Sequence, residues 1–410
     1  MNRNSLALHS TFAAFRHRNY RLWFFGQFIS LIGSWMQTAA QGYLVYTLTQ
    51  SPAFLGYVAF ASGLPSWLFM LYGGVIADRV ARRTLILVTQ SAQSILAFVL
   101  AGLVFTGLVQ PWHILALSFL VGTATAFEIP ARQSLVIDLV GREDLTNALA
   151  LNVTMSNSGM IVGPAVAGVI YALAGPAWCF TINGISYLAV IAALALMILP
   201  PRLASAAPLR PVLAAIGEGI RYVQAQPVVQ SLILSAFFYI IFDYAMIVFV
   251  PAFAVSLLNG DATISGLLLT ANAAGAVLGG LFLAAFAGRI GRGKIWAISA
   301  YVTPWMIAAF AFSHSVPLSL LLTGVVGVTS ITVMNNTNAI IQSSVSDELR
   351  GRVMSLYSLM FISGGPLGSM VLGVIADRAG VTVLVLVCAA LALGFAVWVR
   401  FGASAIRGME

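Results

Sequence analysis

The chain has 410 residues, 60% of them hydrophobic and only 8% charged, with a formal net charge of +8 and a mean hydropathy of +0.96. Soluble domains carry roughly 25% charged residues, so the composition is that of a membrane protein and leaves no separate basic domain for a nucleic-acid partner.

A helix needs about 20 apolar residues to cross about 30 Å of hydrocarbon. Twelve such runs are present, at 22–48, 53–77, 84–108, 112–137, 145–173, 177–199, 228–257, 262–287, 295–313, 316–343, 353–376 and 381–399. They are too long, and too poor in polar alternation, for barrel strands. The expected fold is therefore an all-α membrane protein. Residues 1–21 form an N-terminal tail, 22–199 a first six-helix half, 200–227 a linker, 228–400 a second six-helix half and 401–410 a C-terminal tail. Lys and Arg near helix ends stay in the cytoplasm. That rule sets both tails inside, because nearly all basic residues fall on their side, while Arg378 stands alone on the other. The first run follows a polar, Arg-rich tail and is too long for a signal-peptide core, so it is expected to remain as the first helix. The basic loops would then face anionic lipid.

In chain order, the first run carries Gln27, Ser30, Ser34, Gln37 and Gln41 at steps of 3, 4, 3 and 4, hence on one face. Lipid solvates that face poorly, so it is expected to look into a central cavity and to bind a polar substrate group. After the second run comes "GGVIADRVARR" (73–83), whose hexapeptide "GVIADR" returns at 373–378. The orientation puts the two copies on opposite membrane faces, and the match is read as shared helix-end grammar. In the fourth run Glu128 precedes Arg132 by four residues, the spacing of an ion pair along one helical face. In the fifth, Gly159, Gly163 and Ala167 share a face that admits a close neighbour, and Pro164 bends the segment. Asn183, Asn272 and Asn336 are further cavity candidates. In the linker, Val212, Leu213, Ile216, Ile220 and Val223 recur at helical spacing, as in a short amphipathic helix lying on the cytoplasmic surface.

Asp243 lies near the middle of the seventh run with no basic residue within helical reach, and Ser235, Tyr239 and Asp243 follow at four-residue steps. A carboxyl inside a membrane helix is a functional candidate by default. Two readings are open: a proton-exchanging group facing a watery cavity, with Tyr239 beside it, and a neutral acid hydrogen-bonded to a neighbouring helix. "GRIGRGKI" (288–295) nearly spells a phosphate loop, but it follows a membrane helix and has Ile295 where Ser or Thr would bind magnesium. The four histidines have no metal-site spacing, and Cys179 and Cys388 sit inside apolar runs, so neither a metal site nor a disulfide is expected. Half a chain apart, "RQSLVIDLVGREDL" from Arg132 is similar to "IQSSVSDELRGRV" from Ile341, and "VGPAVAG" (162–168) to "GGPLGSM" (364–370). That repeat implies two pseudo-symmetric halves in parallel orientation.

On these residues the chain resembles the major facilitator superfamily over nearly its whole length. "GGVIADRVARR" resembles the superfamily signature between helices two and three, with Gly74, Asp78, Arg79, Arg82 and Arg83 in place and Ala81 where a second glycine is usual. "FEIPARQSLVIDLVGREDLTNALALN" and "SVSDELRGRVMSLYSL" resemble more narrowly the drug and siderophore exporters, a branch that includes enterobactin exporters and macrolide efflux proteins. The resemblance implies a cytoplasmic gate in which Arg79 or Arg82 pairs with Glu128, with Arg132 beside it. "GMIVGPAVAG" resembles the antiporter signature of the fifth helix through Gly159, Gly163, Pro164 and Gly168, with Ala150 and Ala167 standing where glycines are usual. The implied function is export of amphiphilic small molecules from a multi-pass position in the cytoplasmic membrane, by proton antiport and alternating access. No cofactor beyond the proton gradient is expected, and a monomer is. The alternative is an uptake permease or uniporter of a small metabolite. An intramembrane enzyme would need paired acids or a histidine cluster, which the sequence does not offer.

Overall fold

A computed structural model describes residues 12–198, 221–224, 226–345 and 347–402, a few side chains within those helices excepted. A 3-10 turn at Ala13–Arg16 precedes thirteen labelled helices: α1 (Arg18–Thr49), α2 (Pro52–Arg79), α3 (Arg82–Phe105), α4 (Pro111–Val140), α5 (Leu145–Ala174), α6 (Pro176–Leu196), α7 (Pro227–Val248), α8 (Val250–Leu258), α9 (Ala262–Ile290), α10 (Arg292–Ala311), α11 (Val316–Ser344), α12 (Asp347–Ala379) and α13 (Val381–Gly402). No strand occurs among the described residues.

The punctuation is local chemistry. Proline opens α2, α4, α6 and α7, where its missing N–H costs nothing and its fixed φ suits the first turn. Glycines at φ +72° to +89° (Gly141, Gly175, Gly291, Gly380) close α4, α5, α9 and α12. The seventh run, expected as one helix over 228–257, is broken at Phe249: Pro251, in the first turn of α8, cannot donate to the preceding turn. Of the expected linker helix, Val212, Leu213, Ile216 and Ile220 lie outside the described residues. Arg221–Gln224 is helical, and Val223 is buried against Val229 and Trp296.

Among the described residues nine helices are long and apolar enough to cross a membrane. The polar-striped α1 and the short α10 are not among them, and α13 contributes the shorter apolar stretch Val381–Gly394. Leu173 and Leu278 are 83% and 62% exposed; such surface is a liability in water and an ordinary contact in lipid.

The chain divides into two compact units, Met1–Leu44 with Leu64–Ala206, and Val45–Gly63 with Ala207–Glu410. In unit one α3 packs on α4 and α6, over a cluster that includes Trp23, Ile86, Ala131, Leu135 and Leu194. Gly163 of α5 lies where any Cβ would meet Trp35 Cβ at 2.5 Å and the α1 backbone at 2.9 Å, and Gly73 of α2 lies against the Ala126 carbonyl of α4. In unit two α10 packs on α11 and α13, α12 on α7, and α9 on α11. There Gly365 lies against Tyr244 of α7, and Gly275 against the Gly324 backbone. The pairings repeat: the first and fifth spans meet at Gly163 as the seventh and eleventh meet at Gly365, the two glycines that the "GP" repeat aligns. Without a hydrophobic force between helices in lipid, such small-residue contacts carry the association.

Gly163→Ala is expected to destabilise the protein by about 1–3 kcal/mol through overpacking against α1. Gly102→Ala, in α3 with nothing near its added methyl, should stabilise by up to about 1 kcal/mol through helix propensity. Thermal unfolding of both variants in one detergent checks the contrast.

Candidate functional site

Among the described residues, ionisable and amide side chains lie inside both helical units. In unit two Asp243 and Tyr239 are one turn apart on α7 and so share a face; the side chain of Ser235, a turn earlier, is outside the described residues. Asp243 lies beside the Ser330 side chain of α11, and no ion pair to it occurs among the described residues. Ser330 Oγ is 3.2 Å from the hydroxyl of Tyr239, which donates to Thr303 Oγ1 of α10 at 3.1 Å. Thr303 Oγ1 lies 2.7 Å from Thr329 Oγ1, and Thr332 Oγ1 donates to Ser299 Oγ at 2.9 Å. Tyr239, Ser299, Thr303, Thr329, Ser330 and Thr332 are all buried. The sequence marked Asp243 and Tyr239 but not the hydroxyl partners, because single Ser and Thr residues in apolar helices carry no signal until helices are paired.

Asn336, one turn from Thr332 on α11, is 1% exposed, and neither amide atom has a hydrogen-bond partner among the described residues. Asn272 lines a small apolar cavity with Met246, Phe253, Phe310, Thr323 and Val326. The aromatics around Asp243 mostly pack helices together: Phe237 and Tyr244 lie on Gly364 and Gly365.

In unit one the polar stripe of α1 is largely engaged with neighbouring helices rather than left open. Gln37 Oε1 accepts from Asn183 Nδ2 of α6 at 2.7 Å, Ser34 Oγ lies 3.2 Å from the Tyr187 hydroxyl, and Gln41 Nε2 donates to Ser118 Oγ of α4 at 2.8 Å. Gln27 is 2% exposed, and its Oε1 has no partner among the described residues. Shared-face spacing located the stripe correctly; what it cannot reveal is that α4 and α6 bring matching polar groups to meet it.

Glu128 is 4% exposed. Its two oxygens accept from Gln90 Nε2 at 2.9 Å and Gln93 Nε2 at 2.6 Å, and Arg132 Nη1 lies 3.6 Å away. The pair expected from the four-residue spacing is therefore present, with an amide cradle that the sequence did not disclose. The expected pairing of Arg82 with Glu128 needs correction. Arg82 Nη1 binds Asp138 Oδ2 at 2.7 Å and the Ser134 carbonyl at 2.7 Å, because Asp138, at the end of α4, is level with the start of α3 whereas Glu128 is ten residues deeper. Arg83 donates to the Ala195 carbonyl at 3.1 Å, and Arg79 is exposed. The surroundings of Gly74 and the side chain of Asp78 fall outside the described residues. In α5, Gly159 and Gly163 face α1, and Pro164 and Gly168 are buried beside them. Among the described residues no three potential metal ligands cluster, and both cysteines are free and buried.

Helices long and apolar enough to cross a membrane, with polar groups buried between them, define a multi-span membrane protein. The chain matches the transmembrane secretion effector family of the major facilitator superfamily over residues 9–409, and it belongs to that family. It is 27% identical over 343 residues to the multidrug efflux pump Tap of Mycolicibacterium fortuitum, covering 79% of this chain and 80% of Tap. To the enterobactin exporter EntS of Shigella flexneri it is 25% identical over 362 residues, covering 87% and 85%. A bacterial homologue of the human lysosomal transporter Spinster, solved inward-facing and unoccupied, shares the fold with a TM-score of 0.72 at 17% identity, covering 95% of this chain and 97% of that one. Family and relatives are transporters, not enzymes.

The Arg82–Asp138 pair, with side chains 15% and 28% exposed, is expected to show a coupling energy of about 1 kcal/mol in a double-mutant cycle of Arg82→Gln and Asp138→Asn. The corresponding Arg82/Glu128 cycle should give a value near zero. Chemical unfolding in detergent micelles measures both.

Proposed function

We propose that this protein exports amphiphilic small molecules of the drug or siderophore type across the cytoplasmic membrane by proton antiport, with Asp243 carrying the proton. Twelve spans in two six-helix halves, with both termini in the cytoplasm, would rock around a central substrate site by alternating access. A monomer suffices, and the proton gradient is the energy source.

The observation that carries the reading is Asp243: an acid within the apolar α7, unpaired with any cation among the described residues, with the linked hydroxyls of Ser330 and Tyr239 beside it. A hydroxyl can donate to a carboxylate or accept from a carboxylic acid by rotating, so the surroundings fit both protonation states. Export is favoured by the two relatives, each named for outward transport. A proton crossing 100 mV gains about 2.3 kcal/mol, enough by itself for a roughly fiftyfold accumulation at 1.4 kcal/mol per tenfold.

In proteoliposomes, adding siderophores, macrolides or cationic dyes is expected to release protons from the wild type, while Asp243→Asn should abolish the release and cut gradient-driven transport at least tenfold. Transport that ignores the pH gradient in both proteins would instead establish a uniporter or uptake permease and make Asp243 structural.

A further inference from the structure

The hexapeptide "GVIADR" occurs twice, and the gate expected from the resemblance draws only on its first copy, at 74–79. Its second copy ends α12. There Asp377 Oδ1 accepts a hydrogen bond from Ser51 Oγ at 2.5 Å, and Ser51 immediately precedes Pro52, the first residue of α2. A carboxylate at a helix start is electrostatically favoured. The rest of the seam is built for close approach: Gly373 lies against the Pro52 carbonyl and Gly56, Gly56 against the Ser369 carbonyl, and Gly63 against the Pro366 ring. A turn before α2, Tyr46 Oη is 2.9 Å from Ser256 Oγ of α8. Every one of these residues belongs to unit two, which takes in Val45–Gly63. One buried group in the seam is unsatisfied: Ser369 is 0% exposed, and its Oγ has no partner among the described residues.

We propose that the second copy of the hexapeptide is an outer latch: Asp377 and the glycine seam of α12 clasp the N-terminal end of α2 and must release it before the outer mouth can open. The inference rests on the topology proposed above, in which α12 ends on the outer face. The latch is reversible by construction. Its polar contact is at an exposed edge, where water competes with Ser51 for the carboxylate. Closure strands the Ser369 hydroxyl, which opening would hydrate. The two hexapeptide copies would thus work at opposite ends of α2, one beside its C-terminus on the cytoplasmic side and one at its N-terminus outside.

The test uses Ser369→Cys as a reporter, with Cys179 and Cys388 replaced by alanine, and a membrane-impermeant maleimide added to the outside of intact cells. Slow labelling is expected while α2 is intact. Asp377→Asn and Ser51→Ala should each raise the rate about fivefold, equivalent to about 1 kcal/mol at 1.4 kcal/mol per tenfold. Gly56→Ala should raise it more, and a monodisperse elution profile certifies each variant as folded. Equal rates in all variants, or no outside labelling in any of them, would overturn the latch. No substrate or proton enters this measurement. Transport that ignores the pH gradient in wild type and Asp243→Asn alike, with these rate changes intact, would therefore sink the antiport reading and leave the latch standing.

Discussion

The constraint on which everything else depends is that a lipid interior offers polar groups no partner except other parts of the protein. Backbone amides meet it by forming helices throughout, and the prolines and glycines at the helix ends confine unpaired backbone groups to the termini. Side chains meet it by pairing across helices. The α1 stripe bonds to Asn183, Tyr187 and Ser118, and Glu128 binds two glutamines and an arginine. Because apolar surface gives no preference between lipid and a neighbouring helix, these polar contacts and the glycine approaches, rather than bulk hydrophobicity, select which helices meet.

That division explains what was legible in the sequence. Length and apolarity mark the spans, so the helices fall within a few residues of their expected places, and the repeat aligns Gly163 with Gly365, each of which lies close against a neighbouring helix. The break at Phe249 was missed because a proline near a helix end is ordinary and only its depth in an apolar run distinguishes it. The site was legible one helix at a time: Asp243, Glu128 with Arg132, and the α1 stripe all announce themselves as polar residues in apolar context. Their partners were not. Gln90, Gln93, Ser299, Thr303 and Ser330 are unremarkable in sequence, and the choice of Asp138 over Glu128 for Arg82 depends on where two antiparallel helices come level.

The two units meet the same constraint with different chemistry, and the difference bears on function. In unit one the buried acid is held by carboxamides. Gln90 and Gln93 both direct N–H groups at Glu128, one to each oxygen, and an amide nitrogen only donates. Such a cradle, as the two side chains stand, directs donors at the carboxyl oxygens. Arg132 adds an ion pair at 3.6 Å. In unit two the acid lies beside a chain of hydroxyls, with Ser330 next to Asp243 and Tyr239, Thr303 and Thr329 behind it. A hydroxyl is donor and acceptor at once, and rotating it reverses its role at small cost. A group that must gain and lose a proton in each cycle needs neighbours that can reverse with it, whereas a group that holds helices together needs neighbours that cannot. On that argument Glu128, bound to Gln90, Gln93 and Arg132, ties α3 to α4, and Asp243 is the acid whose hydroxyl neighbours would accommodate the proposed proton exchange.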